Sequence, residues 1–102
     1  MRSELIKKYN EYLVKDGAGA MGGYQLLFRF ENNYGASCIN TTGSYGNEIA
    51  VVYFPDKVDY KYKLTYSTSV TDDVLGHLTE DEALKTLEAI KNIKEELNGY
   101  KI

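Results

Sequence analysis

The run Leu78-Thr79-Glu80-Asp81-Glu82-Ala83 constrains this chain most, because it carries a complete helix-start signal. A threonine followed three residues later by a glutamate is a capping box. Its hydroxyl accepts from an early helical N–H, and the glutamate carboxylate accepts from the threonine N–H. Leu78 and Ala83 bracket the cap as an apolar staple. Beyond it, Ala83, Leu84, Leu87, Ile90, Ile93 and Leu97 recur at helical spacing, with Glu88, Lys91, Lys94 and Glu95 toward water. Gly99 supplies a stop. The spacing predicts a helix from Glu80 to about Asn98, and a helix with one apolar side needs a second layer to cover it.

Alternating segments upstream supply that layer. Tyr24 to Phe30 places Tyr24, Leu26, Phe28 and Phe30 on one face. Glu31-Asn32-Asn33-Tyr34-Gly35 reads as a turn, and Ala36 to Asn40 returns as a strand. After a polar loop from Thr41 to Asn47, Glu48 to Phe54 is apolar on both faces, which suits a central strand. Tyr60 to Tyr66 alternates tyrosine and leucine with Lys61, Lys63 and Thr65. At the start of the chain, Ser3 caps a helix predicted from Glu4 to about Val14. The glycine-rich Gly17–Gly23 lacks the lysine of a phosphate loop and follows a helix instead of a strand, so it reads as a flexible connection. Ser67 to Gly76 reads as a tight loop, with Thr71-Asp72-Asp73 opening a single helical turn. The expected fold is α+β: a four-stranded antiparallel meander with an N-terminal helix and a long C-terminal helix packed on one face.

At 102 residues and 43% hydrophobic, residues 1–102 are expected to form one domain without metal or disulfide staples. The net charge of -3 argues against direct nucleic-acid binding and permits a basic protein partner. The single cysteine, Cys38, sits in an alternating stretch and reads as a buried strand thiol. No apolar run reaches the roughly 20 residues of a membrane span, and the N-terminus lacks the apolar core of a signal peptide, so the expected location is the cytoplasm.

Five acids, Asp72, Asp73, Glu80, Asp81 and Glu82, crowd the entry to the last helix. Carboxylates are stabilised at a helix N-terminus by exposed N–H groups and the dipole. They also suit a patch that meets arginine or lysine on a partner. Their spacing does not match a calcium loop, and His77 has no Cys or His near it in sequence, so neither metal nor cofactor is expected. Ten tyrosines are the second unusual feature. Tyr24, Tyr53, Tyr60, Tyr62 and Tyr66 are placed to fill the helix–sheet seam. Tyr34 and Tyr45, in predicted hairpin loops, are the candidates for exposed contact. The expected partner-binding set is Tyr34, Tyr45, Asp72, Asp73, His77, Glu80 and Asp81, with no catalytic residue among them.

Asn33 to Ser37, Glu48 to Val51 and Tyr66 to Ala83 together resemble a family of small uncharacterised proteins encoded by bacteriophages and other mobile elements, largely of Gram-positive hosts. Those proteins carry an NGYGASV-like hairpin, a strand ending ELAV and a tail close to YDTPITDDVIGHLTEEEV. The chain departs from that pattern at Ser69, where the family has proline, and through Lys57 to Tyr62. The resemblance implies a phage protein, with anti-CRISPR or other anti-defence inhibitors as the class. The implied partner is a host protein with a basic surface, such as a nucleic-acid-processing defence complex. The chain itself is expected to be a monomer or homodimer. A structural or accessory phage domain and a small-ligand protein or enzyme are the alternative readings.

Overall fold

The computed structural model describes residues 2–18, 23–40, 46–55, 61–65 and 75–94. Along them run α1 (Arg2–Tyr9), a 3-10 turn (Asn10–Tyr12), β1 (Leu13–Ala18), β2 (Tyr24–Arg29), β3 (Tyr34–Asn40), β4 (Glu48–Tyr53), β5 (Lys63–Leu64) and α2 (Glu80–Lys91). The strands form one antiparallel meander in the order β1-β2-β3-β4-β5. The α+β class and the two helices agree with expectation. The strand count is five, not four.

The additional strand is β1, which occupies the expected tail of the first helix and the start of the expected glycine connection. Leu13 pairs with Phe28, and Lys15 to Ala18 pair with Leu27 back to Tyr24. Without β1, one side of β2 would lack ladder partners for its backbone groups. Leu13 satisfies both patterns: it falls on the apolar side of the predicted helix, yet it packs against the same core from a strand. A bulge between Leu13 and Lys15 accompanies the packing of Val14 against Leu27, Val52 and Phe54 on the other side of the sheet.

One face of the sheet takes both helices. Leu26, Phe28, Ala36, Cys38, Ile49 and Val51 join Leu5 and Tyr9 of α1 and Ala83, Leu87 and Ile90 of α2 in a single buried cluster. The capping box of α2 is present: the Glu82 N–H donates to Thr79 Oγ1 at 3.2 Å, and the Thr79 N–H donates to Glu82 Oε1 at 2.9 Å. Leu78 packs on the cluster that contains Ala83, as a staple requires.

α2 ends at Lys91, well before the expected Asn98. Asn32, in the β2–β3 turn, stops it. Its Nδ2 lies 3.0, 3.1 and 2.9 Å from the carbonyl oxygens of Ile90, Lys91 and Ile93. Its Oδ1 accepts from the Tyr34 N–H at 2.9 Å. The turn is thereby locked to the helix end, and Ile93 stays buried beyond it. Leu75, within the Ser67–Gly76 stretch expected to be a tight loop with a single helical turn, exchanges two backbone hydrogen bonds with Ile49 of β4 at 2.8 and 3.0 Å. The predicted opening of that turn, Thr71 to Asp73, lies outside the described residues, as do Leu97 and Gly99.

Candidate functional site

The expected contact residues are not all on the surface. Tyr34 is a correction: it is 2% exposed, because it begins β3 instead of sitting in the hairpin loop. The turn proper is Glu31 to Asn33, where Asn33 takes the left-handed φ of 69°. Tyr34 then pairs with Tyr53, and their rings tilt together at 5.4 Å. It is therefore a core residue. Tyr45, Asp72 and Asp73 lie outside the described residues.

His77, Glu80 and Asp81 are exposed and close in sequence at the entry to α2. His77 has φ of 54°, a left-handed conformation that reverses the chain just before the helix. Gly46 lies beside it: a Cβ on Gly46 would sit 3.7 Å from both Cα and Nδ1 of His77. Asn47 then fastens the two loops together. Its carbonyl accepts from the Leu78 N–H at 3.1 Å, and its Nδ2 donates to the Leu78 carbonyl at 3.3 Å. Its Oδ1 accepts from the Tyr24 hydroxyl at 2.9 Å and from Asn40 Nδ2 at 2.8 Å. Burial, followed by the nearby Cys38, pushes the Tyr24 phenol up to about 12, so it remains a donor at neutral pH. Asn47, together with the Leu75–Ile49 pair, thus sets where the acidic turn sits relative to the sheet.

Capping and display fall to different acids within that turn. Glu82 serves the cap, and the Thr79 backbone N–H beside its carboxylate holds it below the usual glutamate range. Asp81 makes an exposed pair with Lys85 at 3.1 Å. Glu80 is exposed.

The sheet face away from the helices holds a second surface feature. Leu64 and Tyr62 are 49% and 38% exposed, and they flank a groove of about 290 Å³ that also includes Gln25, Ser37, Ile39 and Glu48. Tyr62 was expected in the helix–sheet seam. Pairing of Leu64 with Val52 turns the Tyr62/Leu64 face outward instead. The 61–65 alternation contained this arrangement, but one strand's alternation does not say which side the helices cover.

No protein-family model, curated protein or solved structure matches the chain.

Chemically, the described residues offer surface charge and an apolar groove. Cys38 is buried, which raises its thiol well above the ordinary value and leaves it a poor nucleophile. No group of three or more His, Cys, Asp or Glu among the described residues is placed to hold a metal ion. No described helix is long and apolar enough to cross a membrane. A cleft of about 390 Å³ at the other end of α2 is lined by Tyr12, Glu31, Lys91 and Lys94 and contains none of the expected contact residues.

Proposed function

We propose that this protein is a non-enzymatic binding protein of a phage or mobile element. It acts in the cytoplasm of the bacterial host, where it occludes a basic surface of a host defence protein. A CRISPR effector nuclease is the concrete target. One observation carries the reading: the capping box draws on Thr79 and Glu82, so Glu80 and Asp81 are exposed carboxylates that the helix start does not consume. The Asp81–Lys85 pair is no obstacle, since solvent-exposed pairs of this type are worth only about 0.3–0.5 kcal/mol. Desolvated against a guanidinium or ammonium group on a partner, the same carboxylates contribute more. The resemblance of the Tyr66–Ala83 segment to phage proteins supplies the biological class.

The test is DNA cleavage by a purified CRISPR effector nuclease with increasing amounts of this protein. Cleavage is expected to fall, and the Glu80→Gln/Asp81→Asn double variant is expected to need several-fold more protein for the same effect. The variant's circular dichroism and melting curve serve as the folding control. Unchanged cleavage at saturating protein removes the nuclease as target. Equal potency of a folded double variant removes the acidic turn as the contact.

A further inference from the structure

The acidic turn does not account for the cleft at the far end of α2. Its volume of about 390 Å³ falls in the range of small-molecule sites. Two segments are joined there. The Asn32 side chain donates to the carbonyls of Ile90, Lys91 and Ile93, and the Phe30 ring lies 5.0 Å from that of Tyr12. Glu31 stands between Phe30 and Asn32 in the chain, and Lys94 follows Ile93, so each is one residue from a contact that joins the segments. Lysines at a helix C-terminus often do no more than complement its last carbonyls. Here Asn32 already donates to those carbonyls, so Lys91 and Lys94 are not consumed by the helix end. Lys91 Nζ lies 5.5 Å from the centroid of the Tyr12 ring. The exposed Glu31 and Lys94 side chains line the same cleft, and neither makes an ion pair or hydrogen bond among the described residues.

The cleft therefore presents both signs of charge beside an aromatic ring. A simple anion is attracted by the two ammonium groups and repelled by Glu31. A simple cation meets the reverse. A molecule that carries an ammonium and a carboxylate on neighbouring atoms meets an opposite charge at each end. We propose that this cleft binds a free amino acid with an apolar side chain. The ligand carboxylate pairs with Lys91 and Lys94. Its ammonium pairs with Glu31 and donates to Asn92 Oδ1, the group left over once Asn92 Nδ2 has bonded to Glu88. Its side chain packs against Tyr12. A residue inside a peptide fits less well, because its backbone carries neither charge. The site stands apart from the acidic turn, at the opposite end of the 12-residue α2, and does not depend on what that turn binds.

The test is an NMR titration of the full chain with L-leucine and L-phenylalanine. The controls are N-acetyl-leucine, which lacks the ammonium, and leucinamide, which lacks the carboxylate. Saturable amide shifts are expected at Glu31, Asn32, Asn92 and Lys94 with both amino acids. Either control is expected to bind about fivefold more weakly, the upper range for an exposed ion pair. Glu31→Gln and Lys94→Gln are each expected to weaken leucine binding about twofold to fivefold. Glu31→Gln is also expected to remove most of the preference for leucine over N-acetyl-leucine, a change that a purely structural role would not produce. Melting curves of both variants are the folding control. Glu80→Gln/Asp81→Asn is expected to leave the cleft shifts in place. The proposal is overturned by no saturable shifts with either amino acid, by shifts confined to Glu80–Glu82, or by equal affinity for leucine and N-acetyl-leucine in the unaltered protein. Unchanged leucine affinity in both folded variants overturns it as well. Leucine binding without nuclease inhibition supports the cleft and removes only the nuclease target. Nuclease inhibition without leucine binding removes only the cleft.

Discussion

Gly35 and Gly46 are required for different reasons, and the difference is measurable. A Cβ on Gly35 would lie 1.9 Å from the Phe28 carbonyl oxygen and 2.8 Å from the Phe54 ring. Backbone and a buried aromatic cannot both yield, so Gly35→Ala is expected to cost about 2–3 kcal/mol, the upper part of the overpacking range. A Cβ on Gly46 would make only ordinary van der Waals contact with His77, at 3.7 Å, but φ there is +63°, so Gly46→Ala meets backbone strain alone, about 1 kcal/mol. Denaturant midpoints at unchanged slope measure both costs. A Gly46→Ala loss equal to that of Gly35→Ala would contradict the steric account. In the sequence, Gly35 reads only as part of a turn signal, because the groups that crowd it come from Phe28 and Phe54. The buried position of Tyr34 is hidden for a related reason. Asn32-Asn33 completes the turn by itself, through the left-handed Asn33, and lets the strand begin one residue before Gly35.

The two ends of α2 show which element boundaries a sequence can reveal. Its start is local: Thr79 and Glu82 form the cap that their spacing predicts. Its stop is not, because the group that satisfies its last carbonyls is Asn32, on a turn far away in the chain. β1 was obscured in the same way: Leu13 fits helix periodicity, and only its pairing with Phe28 makes it a strand residue. Asn32→Ala is expected to cost about 1–3 kcal/mol by removing the side-chain donor shared by the Ile90, Lys91 and Ile93 carbonyls. Asn32→Asp is expected to be worse at neutral pH. The introduced carboxylate can still accept from the Tyr34 N–H, but it faces the negative end of the helix dipole. Those carbonyls raise the carboxyl's folded-state pKa above the ordinary value of about 3.9. Its protonated form is therefore the one the fold tolerates. The extra penalty is absent at pH about 3 and grows as pH rises through the folded-state value. Parallel stability–pH curves for the Ala and Asp variants would contradict this.

At the scale of the molecule, both described helices cover the same face of the sheet, and a polar tie helps hold that cover together. The Tyr9 hydroxyl of α1 donates to Glu88 Oε1 of α2 at 2.8 Å. Lys8 and Lys91 flank the pair, each also lying 5.5 Å from a tyrosine ring centroid, Tyr9 and Tyr12 respectively. Helical periodicity shows that both helices have an apolar side, but it does not reveal a Tyr–Glu bond between the two helices. The tie makes stability depend on pH at both extremes. Burial and then the Glu88 contact raise the Tyr9 phenol well above its ordinary range. Its contribution is whole below about pH 10 and is lost as pH rises beyond that. The Tyr9 and Asn92 hydrogen bonds lower the Glu88 carboxyl. Its contribution is whole above the ordinary glutamate value of about 4.3 and is lost as pH falls through the lowered one. Tyr9→Phe keeps the edge-on ring packing against Phe28 and Phe30, at 6.2 and 5.8 Å, and removes only the hydroxyl. It is expected to cost about 0.5–1.5 kcal/mol at neutral pH, the net worth of one hydrogen bond, and to blunt the alkaline loss of stability. It should also raise the Glu88 titration midpoint part-way, since the 3.2 Å contact from Asn92 remains. Carboxyl NMR titration of both proteins decides the matter: an unmoved Glu88 midpoint would mean that the two helices are held by apolar packing alone.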